Sequence, residues 1–290
     1  MNHSNVVGGA EAANRLGDYL RARRGLVSPE TVGLSVGARR RVPGLSREEV
    51  ALLAGISADY YLRLERGRDS NPSVQVLNAV ARILQLDEVE TEYLLTLGDF
   101  HSRPTVRARR RTEKVPARLH HLIAALDVPA FVEGRYFDVL ASNALALGFS
   151  PRLTPGQNRM KSLLLDREER AFHENWESAV VESVGSLRRA VGEDVTDARA
   201  VELVGELSLA GARFRSLWAR HDVRQLAGGT TTVNHPTVGA LRLYREKLPV
   251  DGLVLVLYYP DEHSDSAEKL RLLTSLNAKP VADTISETPG

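Results

Sequence analysis

The stretch that most constrains this chain is Leu45–Gly67, LSREEVALLAGISADYYLRLERG. Ser46, followed three residues later by Glu49, has the form of a capping box, so a helix opens there. Val50, Leu53 and Ala54 recur at i, i+3 and i+4 and give that helix one apolar stripe. Gly55 breaks the pattern where a sharp turn needs a permissive backbone, and Ile56 can plug the corner. Ser57 caps a second helix whose inward residues are Tyr61 and Leu64, and Gly67 stops it. Two short helices joined by a turn containing glycine are the layout of a DNA-binding helix-turn-helix.

The second helix would be the reader. Burying Tyr61 and Leu64 leaves Ala58, Asp59, Leu62 and Arg63 on the outer face, with Tyr60 and Arg66 at its edges and Ser57 at its start. In the major groove Arg63 can bond bidentately to guanine, Ala58 can touch a thymine methyl and Asp59 can accept from cytosine. Arg47, at the start of the first helix, is placed to hold a phosphate. An ordinary helical hairpin with a solvated charged face has the same spacing. The flanking sequence argues against it. Asn71–Leu86, NPSVQVLNAVARILQL, has Ser73 as N-cap and apolar residues at Val76, Leu77, Val80, Ala81 and Leu84. Leu16 and Leu20 suggest a helix over 14–25, and 87–98 a further one ending at Gly98. The N-terminal part is therefore expected to be all-α.

On these residues the chain resembles the XRE, or lambda-repressor-like, regulators, in which ERG is followed shortly by NPS and a hydrophobic helix. Arg39–Tyr61, RRRVPGLSREEVALLAGISADYY, with LERGRDSNPS, narrows the resemblance to the MmyB-like subgroup. Arg39, Arg40 and Arg41 precede the reading unit and can lie along the phosphate backbone, the source of much salt-dependent affinity; a solvated basic turn reads the same way.

Charge supports the division of labour. Residues 1–111 hold 17 Arg, no Lys and 13 Asp or Glu, a net +4, whereas the remainder is net −3. Arginine suits guanine and phosphate recognition better than lysine, and the acidic remainder is not built to meet a polyanion. There is no cysteine, which excludes disulfides and thiolate metal sites and fits a cytoplasmic protein. No apolar run approaches the ~20 residues that span a membrane, and the N-terminus lacks a secretory pattern. Residues 1–13 read as disordered. Residues 99–116, rich in charge and punctuated by Pro104 and Pro116, read as a linker between a domain at 14–98 and another at 117–275.

In the second domain Ala117–Leu126 reads as helix. Pro129–Val132 and Tyr136–Ala141 read as strands. Helical patterns follow at 159–168, 172–191, 196–209 and 211–220, then strands at Thr230–Asn234, Val238–Tyr244 and Leu253–Tyr259. Two early strands, intervening helices and three late strands imply an antiparallel sheet flanked by helices, an α+β domain. This part also resembles the MmyB-like family. The residues that carry the likeness are Val128–Leu140 with Phe131, Trp176, Phe214, Trp218, His221 and Val223, and His235-Pro236 with Val238, Gly239 and Leu241. The resemblance implies a PAS-like domain holding a fatty-acid-like molecule between sheet and helices. PDEHSDSAEKLRLL after Tyr259, and Leu163–Leu165 where a phenylalanine is expected, depart from the family pattern and bear on the pocket's shape.

The chain contains no GxGxxG, Walker loop, HExxH or GxSxG, so no enzyme is expected. Adjacent His120 and His121 diverge on a helix and make a poor metal pair; no metal or cofactor is expected. His221 and His235 read equally as buried histidines satisfied by backbone or as polar anchors in a mostly apolar pocket. Phe131, Trp176, Phe214 and Trp218 complete the candidate ligand wall. The expected function is a cytoplasmic transcriptional regulator that binds double-stranded operator DNA as a homodimer and senses a small hydrophobic ligand. The alternative is a DNA-binding regulator whose second domain is a constitutive dimerisation platform without ligand.

Overall fold

A computed structural model describes residues 15–35, 42–68, 72–98, 113–193, 197–225 and 227–277. Residues 1–13, the Arg39–Arg41 run and most of the 99–116 linker lie outside them. The chain divides into two compact units. One comprises Met1–Arg111 and Val181–Gln225, the other Thr112–Val180 and Leu226–Gly290. Residues 181–225, which sequence places with the second domain, thus group with the N-terminal helices.

In the first unit, helix α1 spans 15–24. After a short 3-10 turn at Pro29–Val32 come α2 (Arg47–Ala54), α3 (Ala58–Glu65), α4 (Val74–Ile83) and α5 (Glu88–Gly98). The caps are those the sequence announces. The Ser46 hydroxyl accepts from the Glu49 amide while the Glu49 carboxylate accepts from the Ser46 amide, and Ser57 and Ser73 cap α3 and α4. Gly55 turns the chain with φ +70°, a left-handed conformation that suits glycine. Leu16, Tyr19, Leu20, Leu45, Val50, Tyr61, Leu64, Leu77, Val80, Leu94 and Leu97 form one core. Gly17 of α1 lies so close to α3 that a Cβ there would stand 2.3 Å from the Glu65 carbonyl oxygen.

Val223 belongs to this same core. It follows α10 (Trp176–Glu193), α11 (Ala198–Ala210) and α12 (Ala212–Ala219). Arg23 of α1 bonds Glu90 and Asp222 at 2.8 Å each, and Arg189 reaches Glu92 at 3.0 Å. Gly192 lies against the Tyr93 ring, where a Cβ would meet ring carbon at 2.2 Å. The two halves of the unit are therefore joined by apolar packing as well as by ion pairs.

The second unit carries a five-stranded sheet in the order β2-β1-β5-β4-β3, every neighbour antiparallel. Its strands are β1 (Ala130–Glu133), β2 (Val139–Ser142), β3 (Gly229–His235), β4 (Gly239–Val250) and β5 (Leu253–Tyr259). Strand alternation sorts the residues onto two faces. Ala130, Val132, Ala141, Leu253 and Leu255 pack against Leu119 and Ile123 of α6 (Ala117–Ala124). Phe131, Val233, Leu241, Leu243, Val256 and Tyr258 face Ala146 and Phe149 of α7 (Ala144–Phe149) and Leu270 and Leu273 of α13 (Asp265–Asn277). Both faces of β5 are covered, which is why LVLVLYY reads as an uninterrupted apolar run. The helix expected over 159–168 is two, α8 (Arg159–Leu165) and α9 (Arg167–Phe172). Asp166 leaves the helical conformation and caps α9 through the Glu168 amide.

Candidate DNA-reading helix and ligand site

Helix α3 buries Tyr61, Leu64 and Glu65 and turns Ala58, Asp59, Arg63 and Arg66 outward, with Tyr60 and Leu62 half-buried. Arg63 bonds Asp59 at 2.6 Å one turn earlier, with side chains 47% and 74% exposed, and its guanidinium lies 5.4 Å from the centre of the Tyr60 ring. An exposed i,i+4 pair is worth only ~0.3–0.5 kcal/mol. Exchanging Asp59 for a base edge therefore costs Arg63 little. Ser57 is occupied in capping, its hydroxyl accepting from the Tyr60 amide at 3.1 Å.

Arg47 is 41% exposed, and its Nε bonds the Glu65 carboxylate at 2.6 Å. Glu65 is fully buried and also accepts from Arg24 Nε at 2.6 Å. Arg24 in turn donates to the Leu45 carbonyl at 2.6 Å. One carboxylate thus ties α1, the start of α2 and the end of α3 together. Sequence reading passed over Glu65 as part of the ERG pattern. Its signal was a lone acid on the inward side of an amphipathic helix, which needs a cationic partner when buried. Arg40 and Arg41 lie outside the described residues.

The six candidate ligand residues fall in both compact units. Phe214, Trp218 and His221 belong to the first. Phe214 stacks on Trp218 with centroids 5.3 Å apart, and Arg188 covers Trp218 at 3.8 Å. Arg188 also donates to the Trp218 carbonyl and reaches His221 Nδ1 at 3.2 Å. His221 packs edge-on to Tyr19 of α1. Its burial, with Arg188 and Arg23 nearby, lowers its pKa from 6.5 to about 4, which keeps it neutral.

Phe131, Trp176 and His235 belong to the second unit. Trp176 donates its indole N–H to the Leu163 carbonyl at 2.7 Å. His235 is buried beside Phe149 and Phe172. Its Nε2 meets the Gly148 carbonyl at 3.2 Å, and its Nδ1 accepts from the Thr237 and Val238 amides. Both nitrogens serve the backbone, as the first of the two sequence readings has it.

The polar groups on the inner face of the sheet are others. Register sets Arg245 beside Tyr258, and Lys247 and Phe131 on either side of Val256. Lys247 bonds Glu133 at 3.2 Å, with side chains only 12% and 3% exposed. Arg159, from the start of α8, lies 3.5 Å from the Tyr258 hydroxyl and 5.2 Å from the centre of the Phe131 ring. Burial alone would raise the Tyr258 phenol, yet Arg159 and Arg245 bring it below its ordinary value. Lys247 is lowered by burial, with Arg245 and Arg159 adding to the effect against Glu133. Burial lowers Arg159, yet Tyr258, Glu133 and Glu169 raise it above its ordinary value, so the cluster sets anions beside its cations. Sequence reading missed this cluster because Arg159, Lys247 and Tyr258 lie in three separate segments and match no short motif.

Among the described residues no group of His, Asp and Glu side chains could hold a metal ion, and no helix is long and apolar enough to cross a membrane. Comparison with curated proteins gives no match. Residues 15–94 match the model of a helix-turn-helix domain, and residues 115–273 match that of the MmyB-like transcription regulator ligand binding domain. The second match covers more than half of the chain and takes in α10–α12, whose residues 181–225 group with the helix-turn-helix. The chain therefore belongs to the MmyB-like transcription regulators, joining a DNA-binding helix-turn-helix to a ligand-binding domain.

Proposed function

We propose that the protein reads a specific operator through the outer face of α3, as a homodimer in the cytoplasm, and that a small hydrophobic, fatty-acid-like ligand in a PAS-like second domain changes its affinity for DNA. The observation that carries this reading is the division of α3. Tyr61, Leu64 and Glu65 are spent on the core, which leaves Arg63 and its neighbours outward on a helix held at both ends. Support for the ligand half comes from the family match. The mechanism is a population shift, in which a ligand that favours one conformation changes DNA affinity by its differential binding. Residues 181–225 are the natural carriers, being part of the ligand-domain match and of the core shared with α1 and α5.

An operator titration by fluorescence anisotropy tests the reading. Arg63→Ala is expected to weaken specific binding by about 1–3 kcal/mol and relax preference at one base pair. Arg47→Ala is expected to weaken all sequences alike. The protected site should be a pseudo-palindrome with half-sites about 34 Å or a multiple apart. Unchanged operator affinity in Arg63→Ala would remove α3 from the reading role.

A further inference from the structure

We propose that the outer face of β4 joins a second copy of this chain, sheet face against sheet face, about a two-fold axis at Tyr244. This rests on the reading of the protein as a homodimer and adds the surface through which it pairs. Helix α6 covers the outer face of the sheet over β1, β2 and β5. Over β4 and β3 that face is open. Leu255 of β5 is 4% exposed, whereas Leu248, its register partner on β4, is 43% exposed. The β4 residues of this parity are Ala240, Arg242, Tyr244, Glu246 and Leu248. All are exposed except Glu246, which is half-buried. The Tyr259 ring lies beside Tyr244, with centroids 5.3 Å apart.

An isologous contact needs a surface complementary to itself, in which residue i meets j and j meets i. The series Ala, Arg, Tyr, Glu, Leu has that property. A half-turn about an axis crossing β4 at Tyr244 sets Arg242 opposite the partner's Glu246 and Ala240 opposite the partner's Leu248, each twice. Opposite charges meet, a small side chain faces a large one, and Tyr244 meets its own copy on the axis. Thr230 and Tyr259 both pair with Tyr244 in the ladder, so they fall on the same axis. An axis along the strand would instead set Arg242 against Arg242 and Glu246 against Glu246, so charge selects the antiparallel arrangement. Sheets stack ~10 Å apart, a gap that an arginine and a glutamate span together.

The test is sedimentation velocity of the full-length protein over a concentration series. Arg242→Glu sets a carboxylate against the partner's Glu246, and Glu246→Arg sets a guanidinium against the partner's Arg242. Each is expected to raise the dimer Kd by about tenfold or more, because like charges facing across an interface are strongly disfavoured. An equimolar mixture of the two variants should dimerise again, since every charged contact then pairs Glu with Arg. Positions 242 and 246 stand ~13 Å apart along one strand, so neither a pair within one chain nor damage to folding can produce that recovery. Should Glu246→Arg fail to fold through loss of its bond from the Tyr259 hydroxyl, Arg242→Glu and Leu248→Ala decide. Both sit at exposed positions, and both should weaken the dimer. A dimer indifferent to these substitutions, or a mixture that does not recover, overturns the surface and leaves the homodimer standing. A protein that stays monomeric throughout the series overturns the surface and the dimer in solution together.

Discussion

Replacing Asp222 by Ala should loosen residues 181–225 from α1. Asp222 accepts from Arg23 at 2.8 Å and from Arg220 at 2.9 Å, and about a tenth of its side chain is exposed. The bond to Arg23 is buried and charged, worth roughly 1.5–3 kcal/mol. Arg220 is half-exposed and adds about 0–1 kcal/mol. Breaking a buried pair outright costs about 3–5 kcal/mol, but Arg23 keeps Glu90 as a partner, so the full penalty is not reached. A loss of about 2–3 kcal/mol corresponds to roughly 4–12 °C in a unit of this size. Denaturation followed by Trp218 fluorescence in a Trp176→Phe background reports the first unit selectively, because these are the chain's only tryptophans. A double-mutant cycle with Arg23→Met isolates the pair. A coupling energy below about 0.5 kcal/mol, the range of independent sites, would refute the bracing role of Arg23.

Two further outcomes follow from the first unit. His221 has its folded pKa lowered to about 4, so the unfolded chain takes up a proton first as pH falls. Its contribution should be complete above about pH 6.5 and lost as pH falls through about 4. His221→Asn, which tolerates the left-handed backbone (φ +56°), should flatten that part of the urea-midpoint profile. Gly17→Ala should destabilise the unit by about 1–3 kcal/mol, because the new methyl meets backbone oxygen of α3 rather than a movable side chain; calorimetry and operator binding would both record it.

Much of the first unit was legible because its signals are local. A capping box, a glycine turn and a 3.6-residue apolar period lie within a few residues of one another, and each fixes a dihedral or a face. The break at Asp166 was less visible. Arg159–Phe172 has no proline or glycine, and a helix-capping aspartate differs little in sequence from one exposed on a continuous helix. The allegiance of residues 181–225 was not legible either. Amphipathic helices announce that one stripe is buried, not against what. Val223 joins a core built from α1 to α5, and Asp222 meets Arg23 across 199 residues of chain.

The ligand site shows the same limit from the other side. Histidines beside apolar sequence drew attention as anchors because histidine is rare and versatile. Its versatility is also why it is used to satisfy backbone, and His235 does so with both nitrogens. Arg245 and Lys247 lie beyond Tyr244, where the strand read from the sequence ends, whereas β4 runs on to Val250. In an alternating strand, parity alone decides which face a side chain takes, and a shift of one residue reverses it. Arg245 and Lys247 share parity with Leu241 and Leu243, so they lie on the apolar inner face, whereas Tyr244 and Leu248 take the other parity and are exposed. The informative feature in the sequence was therefore an unbroken odd-numbered series, Leu241, Leu243, Arg245, Lys247, in which burial continues after apolarity ends. A cation on the buried parity of a strand needs an anion, and Glu133 supplies it to Lys247 from β1, two strands away in the sheet order.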